Sequence, residues 1–164
     1  MESTTLHLAK QNFKFSSAHF LIFDAKSAEM LHGHNYQVKV DLMFNQPSGS
    51  HQVGYFVDFH VLKKYIKSQC DIWDEHVLLP KKHPDMRSKL SADQKNYEIT
   101  FRDRFYSLPV KETIWLEVDN TSVEQLSKLL AHNFHQEFKK YHFAQITVLV
   151  EETNGQSAST TLKF

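Results

Sequence analysis

His32 and His34, separated only by Gly33 in the string LHGHNY, are the residues of this chain whose spacing speaks most directly of chemistry. They stand just before a run of alternating apolar and polar residues. If that strand extends back to them, both imidazoles project from one face. The face shares the parity of Tyr36 and Val38, so it is the inward one. Gly33 removes a side chain between the two ligands and lets the backbone bend locally. His19 ends an earlier alternating segment and reaches the same place if the two segments pair as strands. Three neutral imidazoles leave one tetrahedral position of a zinc ion open, which is the arrangement of a catalytic site rather than a closed structural one. The competing reading is that the three histidines simply pack and hydrogen-bond in a core. His7, His51, His60, His83, His132, His135 and His142 have no comparable spacing.

The elements that must position these residues are legible as periodicities. Residues 7–19 read as a strand in which Phe13, Phe15 and Ser17 share the parity of His19. Residues 21–30 read as a loop, and residues 36–44 give the clearest alternation in the chain. The stretch 45–54, with Pro, Ser and Gly, reads as a hairpin connection, followed by a short strand at 55–57. Asp58 is a suitable N-cap for a helix over 59–73, where Phe59, Leu62, Ile66, Cys70 and Trp73 form one apolar stripe. Lys63, Lys64 and Lys67 fall elsewhere around it, as a solvated face. Pro80 and Pro84 bracket a loop, and 89–118 reads as short strands, best at 97–101 and 114–118. A second helix starts at Thr121 or Ser122, each offering a capping box with Glu124 or Gln125. Leu126, Leu129, Leu130, Phe134 and Phe138 supply its buried side. Strands at 146–150 and 160–164 close the chain. The expected class is α+β, an antiparallel sheet with two helices on one face, in a single domain over 1–164.

Composition narrows the function classes. Nineteen basic and nineteen acidic residues give zero formal charge, which argues against a general electrostatic grip on nucleic acid or anionic membrane. No apolar run approaches membrane-spanning length, and the first ten residues lack the apolar core of a signal peptide. The single cysteine, Cys70, excludes an intrachain disulfide and fits a reducing compartment. The expectation is a soluble cytoplasmic protein.

Read whole, a series of strings adds to this. FSSAH (15–19), LHGHNY (31–36), VDF (57–59), EHVLL (75–79), TSVEQL (121–126) and EET (151–153) follow one another in that order. The series resembles the 6-pyruvoyltetrahydropterin synthase family, which includes the 6-carboxytetrahydropterin synthases, from about Phe13 to the C-terminus. The resemblance implies a tunnelling fold (T-fold) of the four-stranded antiparallel type, with two helices, closed into a barrel only by oligomerisation. It implies homohexamers, dimers of trimers, with sites between subunits. It implies zinc on His19, His32 and His34, and a pterin anchored by Glu152, whose carboxylate suits the guanidine-like edge of the ring. Thr121, Ser122 and Glu124 match further pterin contacts, although Glu124 also suits the capping box. The family's Asp-His proton relay falls on Glu75 and His76, with Glu in place of Asp and Asp74 as an alternative partner.

The departure that matters lies before LHGH. Ala28 stands where typical members carry a catalytic cysteine, and Cys70 lies on a helix stripe where it reads as core. Beside Ala28 is Glu29, giving Glu-x-x-His-Gly-His. This resembles the branch in which a glutamate replaces the cysteine and 7,8-dihydroneopterin triphosphate is cleaved to 6-hydroxymethyl-7,8-dihydropterin for folate synthesis. The expected chemistry is that of a zinc-assisted lyase, with Glu29 as general base and His76 as proton shuttle. Lys26, Lys81 and Lys82 are candidates for the triphosphate. The alternatives are synthesis of 6-pyruvoyl- or 6-carboxytetrahydropterin, and a non-catalytic pterin- or metal-binding homologue.

Overall fold

In the computed structural model, which describes residues 3–45 and 55–164, one fourteen-residue strand, β3 (His32–Asn45), forms the spine. Its even-numbered residues from Tyr36 to Phe44 are buried, as a two-residue period dictates for a strand with one face on a core. One edge of β3 is shared by two strands, β2 (Lys14–His19) against its first half and β1 (Ser3–Leu8) against its second. The single strand expected over 7–19 is therefore two. The chain turns between them, with the Phe13 N–H donating to the Lys10 carbonyl at 3.0 Å, because it must step from one stretch of β3 to the next. The other edge of β3 carries β9 (Gln145–Thr153) and then β10 (Gln156–Lys163), all antiparallel.

Beyond β2 the pairing changes sense. β4 (His76–Pro80) lies parallel to β2, and β8 (Thr113–Leu116) parallel to β4, giving the order β10-β9-β3-β2-β4-β8. The sheet is thus mixed, where an antiparallel one was expected. Parallel neighbours need a crossover. Helix α1 (Phe59–Trp73) lies in the connection that leads to β4. The connection from β4 to β8 carries a small antiparallel sheet of β5 (Met86–Leu90), β6 (Asn96–Phe101) and β7 (Arg104–Pro109). The strands expected at 97–101 and 114–118 fall on β6 and β8. Residues 55–57, expected as a strand, form none: Phe56 instead stacks on Phe44 with ring centroids 4.5 Å apart. Of the connection expected over 45–54, residues 46–54 lie outside the described residues.

Asp58 caps α1 by accepting from the His60 N–H at 2.8 Å, and Leu62, Ile66, Cys70 and Trp73 are its buried stripe. Phe59, expected on that stripe, is exposed in the first turn. Helix α2 (Val123–Phe138) starts from Ser122 rather than Thr121, the Ser122 hydroxyl accepting from the Gln125 N–H. Both helices cover the face of the sheet that carries Tyr36, Val38, Val40, Ile146 and Val148, and so build the main core. A second core of Phe20, Ile22, Leu79, Met86, Ile99 and Phe101 joins the small sheet to the main one. Full burial of each such side chain stabilises by roughly 1.5–3 kcal/mol. Among the described residues, no helix is long and apolar enough to cross a membrane.

Candidate metal centre and active-site cleft

The β2/β3 register sets His19 opposite His32, Ser17 opposite His34 and Phe15 opposite Tyr36, so two strands bring the three histidines to one spot. One nitrogen from each ring lies within 4.8 Å of the others. Backbone carbonyls fix two of the rings: His19 Nδ1 is 2.9 Å from the Thr121 carbonyl, and His32 Nδ1 is 2.7 Å from that of Met30. A carbonyl only accepts, so in the neutral rings the proton sits on Nδ1 and each Nε2 presents a lone pair. The Nε2 atoms of His32 and His34 stand 2.8 Å apart. His19 is completely buried, and among the described residues its Nε2 has no hydrogen-bond partner. Leaving such an atom unmet costs about 1–3 kcal/mol. A cation bound by three imidazole nitrogens would satisfy it, and this donor set suits zinc with a position left open. Burial lowers the pKa of His19, and the neighbouring His32 and His34 push the same way, against the Thr121 carbonyl and the Glu152 carboxylate. The neutral, ligating form is favoured.

Glu152 reaches in from the end of β9, with Oε1 3.0 Å from His19 Nε2 and 3.4 Å from His34 Nε2. With the His19 proton on Nδ1, its Nε2 and the carboxylate oxygen are both acceptors, so no hydrogen bond joins them. The buried Tyr36 hydroxyl donates to Glu152 at 3.3 Å. Burial, and then the carboxylate, push the phenol far above its ordinary value, so it remains a donor.

A cleft of about 680 Å³ opens beside the cluster, lined among others by Gly33, His34, Glu75, His76 and Glu152. At Gly33 an added Cβ would touch only the Ser17 carbonyl, at 3.6 Å, and the β2/β3 register is unbroken there. The local bend expected of this glycine is not used; its lack of a side chain leaves the cleft clear. His76 begins β4 beside Ser17. Its Nδ1 meets the Asp74 carbonyl, so a backbone oxygen rather than a carboxylate contacts its ring. The Asp74 carboxylate instead accepts from the Ser16 N–H at 2.7 Å and ties the end of α1 to β2. Glu75, held in the left-handed region at φ 59°, donates its N–H to the Ser16 carbonyl at 2.8 Å.

Glu29 approaches from the loop between β2 and β3. Its N–H donates to the Leu21 carbonyl at 2.8 Å, and its Oε2 accepts from the Leu21 N–H at 3.0 Å. The same Oε2 lies 3.7 Å from His32 Nε2. Ala28, its neighbour, packs against the second core. Thr121 is completely buried, its hydroxyl donating to the Phe20 carbonyl at 3.1 Å and its own carbonyl facing His19. Ser122 and Glu124 form the start of α2, where a hydrogen bond from the Ser122 hydroxyl lowers the pKa of Glu124. Thr121, Ser122 and Glu124 do not line the cleft, and neither do Lys26, Lys81 and Lys82. Lys81 is paired with Glu117, with Lys82 close by.

Three residues at the site were not singled out from sequence. Tyr36 shares the parity of His32 and His34, a signal that was present. Asn120 accepts from the Ile22 N–H at 3.1 Å and donates to the Ile22 carbonyl at 2.8 Å. Arg104 reaches the carbonyls of Ala28 and Glu29. Neither long-range contact leaves a local pattern.

Comparison with known proteins agrees with this architecture. The sequence profile described as 6-pyruvoyl tetrahydropterin synthase matches residues 8–162. A Methanocaldococcus jannaschii protein with the provisional name 6-carboxy-5,6,7,8-tetrahydropterin synthase is 31% identical over 148 residues, covering 88% of this chain and 87% of that one. The crystal structure of Plasmodium vivax 6-pyruvoyl tetrahydropterin synthase superposes with a TM-score of 0.88 at 26% identity, over 100% of both chains. A variant of that enzyme, described as a catalytic-residue mutant with alanine in place of a glutamate, superposes with TM-score 0.88 at 25% identity, again over 100% of both chains. With the histidine cluster, the α+β T-fold and these matches together, the chain belongs to the 6-pyruvoyl tetrahydropterin synthase family of pterin lyases.

Proposed function

We propose that the protein is a zinc-dependent lyase that cleaves the side chain of 7,8-dihydroneopterin triphosphate, yielding 6-hydroxymethyl-7,8-dihydropterin for folate synthesis. The observation that carries this reading is Glu29, with Oε2 3.7 Å from His32 Nε2 at the rim of the histidine cluster, next to an alanine that has no nucleophile. The glutamate named as catalytic in the Plasmodium vivax relative supports it.

His19, His32 and His34 would hold the zinc, which when bound supplies Lewis-acid stabilisation of negative charge developing on substrate oxygen. Glu152, held by Tyr36, would accept two hydrogen bonds from the guanidine-like edge of the pterin. Glu29 takes the proton of the hydroxyl on side-chain carbon 2′. The bond between carbons 1′ and 2′ then breaks, carbon 2′ becomes an aldehyde, and the electron pair passes to carbon 1′, where the dihydropterin ring delocalises it. His76, positioned by the Asp74 carbonyl beside Glu75, returns a proton to carbon 1′. The products balance as 6-hydroxymethyl-7,8-dihydropterin and a two-carbon aldehyde bearing the triphosphate.

Assembly as a homohexamer, a dimer of trimers that closes the barrel, belongs to the same proposal. Among the described residues, no lysine or arginine lines the cleft, so another copy would have to bring cations to the triphosphate. Ser122 and Glu124, which do not line the cleft of their own chain, would meet substrate across such a boundary. A reduced cytoplasmic setting suits the lone buried thiol of Cys70.

Product identification after incubating zinc-loaded protein with dihydroneopterin triphosphate is the test. 6-Hydroxymethyl-7,8-dihydropterin is expected, and Glu29→Ala should lower turnover by roughly 10²–10⁴-fold with zinc still bound. The name of the Methanocaldococcus jannaschii relative favours a second reading, a 6-carboxytetrahydropterin product. A carboxy or pyruvoyl product would replace the cleavage assignment, and pterin binding without turnover would leave only a binding protein.

A further inference from the structure

We infer that Arg104 is a positioning residue for Glu29, acting from the small sheet through the backbone of the loop that carries it. The inference rests on the reading of Glu29 as the general base. Arg104 begins β7, directly opposite Phe101 in the β6/β7 ladder, so its Cα is fixed by sheet pairing. Its guanidinium spreads two N–H groups over successive carbonyls: Nη2 donates to Ala28 at 3.1 Å and Nη1 donates to Glu29 itself. The same group lies over two rings, 5.7 Å from the centroid of Phe101 and 5.8 Å from that of Phe20, the residue after His19. The donors of Arg104 are thus directed to the loop and its charge to the ring faces.

Arg102, one turn of the hairpin away, makes the matching contact at the other end of the loop. Its guanidinium donates to the Asp24 carbonyl and, through Nε, to the Asp85 carboxylate at 2.8 Å. The loop's own bonds between Leu21 and Glu29 and the Ile22–Ala28 bridge close its neck but do not attach it to anything else. Asn120 holds it at Ile22 and Arg104 at Ala28 and Glu29. The Glu29 carbonyl is the backbone atom that sets where its side chain starts. Fixing it holds the carboxylate between the Leu21 N–H and His32. A planar fork suits two adjacent carbonyls; a lysine ammonium, a point donor on a flexible stem, does not.

The test compares Arg104→Ala, Arg104→Lys and Glu29→Ala in zinc-loaded protein. For R104A, kcat should fall roughly 10–100-fold, the scale of a misplaced reacting group, with KM within about threefold. Zinc content should not change, since Arg104 touches no ligand. Amide hydrogen exchange over residues 21–30 should accelerate at least roughly tenfold, in zinc-free protein too, because the carbonyl grip lies outside the metal cluster. Added guanidinium should restore much of the activity of R104A, and R104K should behave like R104A. If R104A does not fold, R104K carries the same comparison. Wild-type kcat and loop exchange in either variant, with E29A inactive, would overturn the role of Arg104 alone. Full turnover by E29A would overturn the reading of Glu29, and with it this inference, whatever the exchange data show.

Discussion

His19 combines complete burial with a nitrogen that has no hydrogen-bond partner among the described residues, and its behaviour toward protons follows from that burial. Its folded pKa is depressed by burial, while the unfolded chain titrates it at the ordinary value near 6.5. Between those two values the unfolded state binds the extra proton. The stability this residue confers is therefore complete above about pH 6.5 and declines as pH falls toward the folded value, by at most about 1.4 kcal/mol per pH unit. Denaturant midpoints of zinc-free protein at stepped pH should show the decline, and His19→Gln should flatten it. Because ligands must be neutral to bind metal, zinc uptake should weaken over the same acid range. Glu152→Gln probes the other side of the cleft. Zinc should stay bound, and pterin affinity measured by fluorescence should fall roughly tenfold or more, the worth of a charge-assisted hydrogen bond.

Among the elements, α1 and α2 offer changes that separate packing from chemistry. Cys70 is buried on α1, and burial pushes its thiol pKa up to about 12. Cys70→Ala should leave turnover intact and cost about 1–2 kcal/mol by loss of packing, and native protein should resist thiol alkylation. Ser122→Ala should cost about 1 kcal/mol through its cap, read by thermal or denaturant unfolding. The helices were legible in sequence because caps and stripes are local signals, and the β2/β3 pair because both strands alternate up to their histidines. The break between β1 and β2 was not legible: Ala9, Lys10, Gln11 and Asn12 include neither glycine nor proline to mark a turn. The parallel pairing of β4 was hidden for another reason, since a crossover is set by how distant segments dock rather than by any local period. The same distance hid Arg104, which lies 75 residues from Glu29. The three clustered histidines were legible because two of them stand one residue apart at the head of a strand.

At the scale of the whole molecule, the main sheet ends in β10 on one side and β8 on the other, and among the described residues neither outer edge has a partner strand. The open edge of the eight-residue β10 invites pairing with another copy. Sedimentation of the full chain should give a mass close to six times 19.2 kDa, and a monomer in solution would remove the hexamer from the proposal. Zinc bound only by the folded state should raise the melting temperature, and chelation should reverse the rise. The Thr121–His19 contact has a consequence in time. His19, His32 and His34 lie close in sequence and come together through a local strand pair, whose short loop costs little entropy to close. The carbonyl that orients His19 belongs to a residue 102 positions away, and it arrives only when the start of α2 docks on the sheet. Closure of so long a loop comes late in folding. A nascent chain would therefore meet its metal first with a loose two- or three-armed grasp and tighten it only at the end, so the final rise in metal affinity would mark completion of the fold.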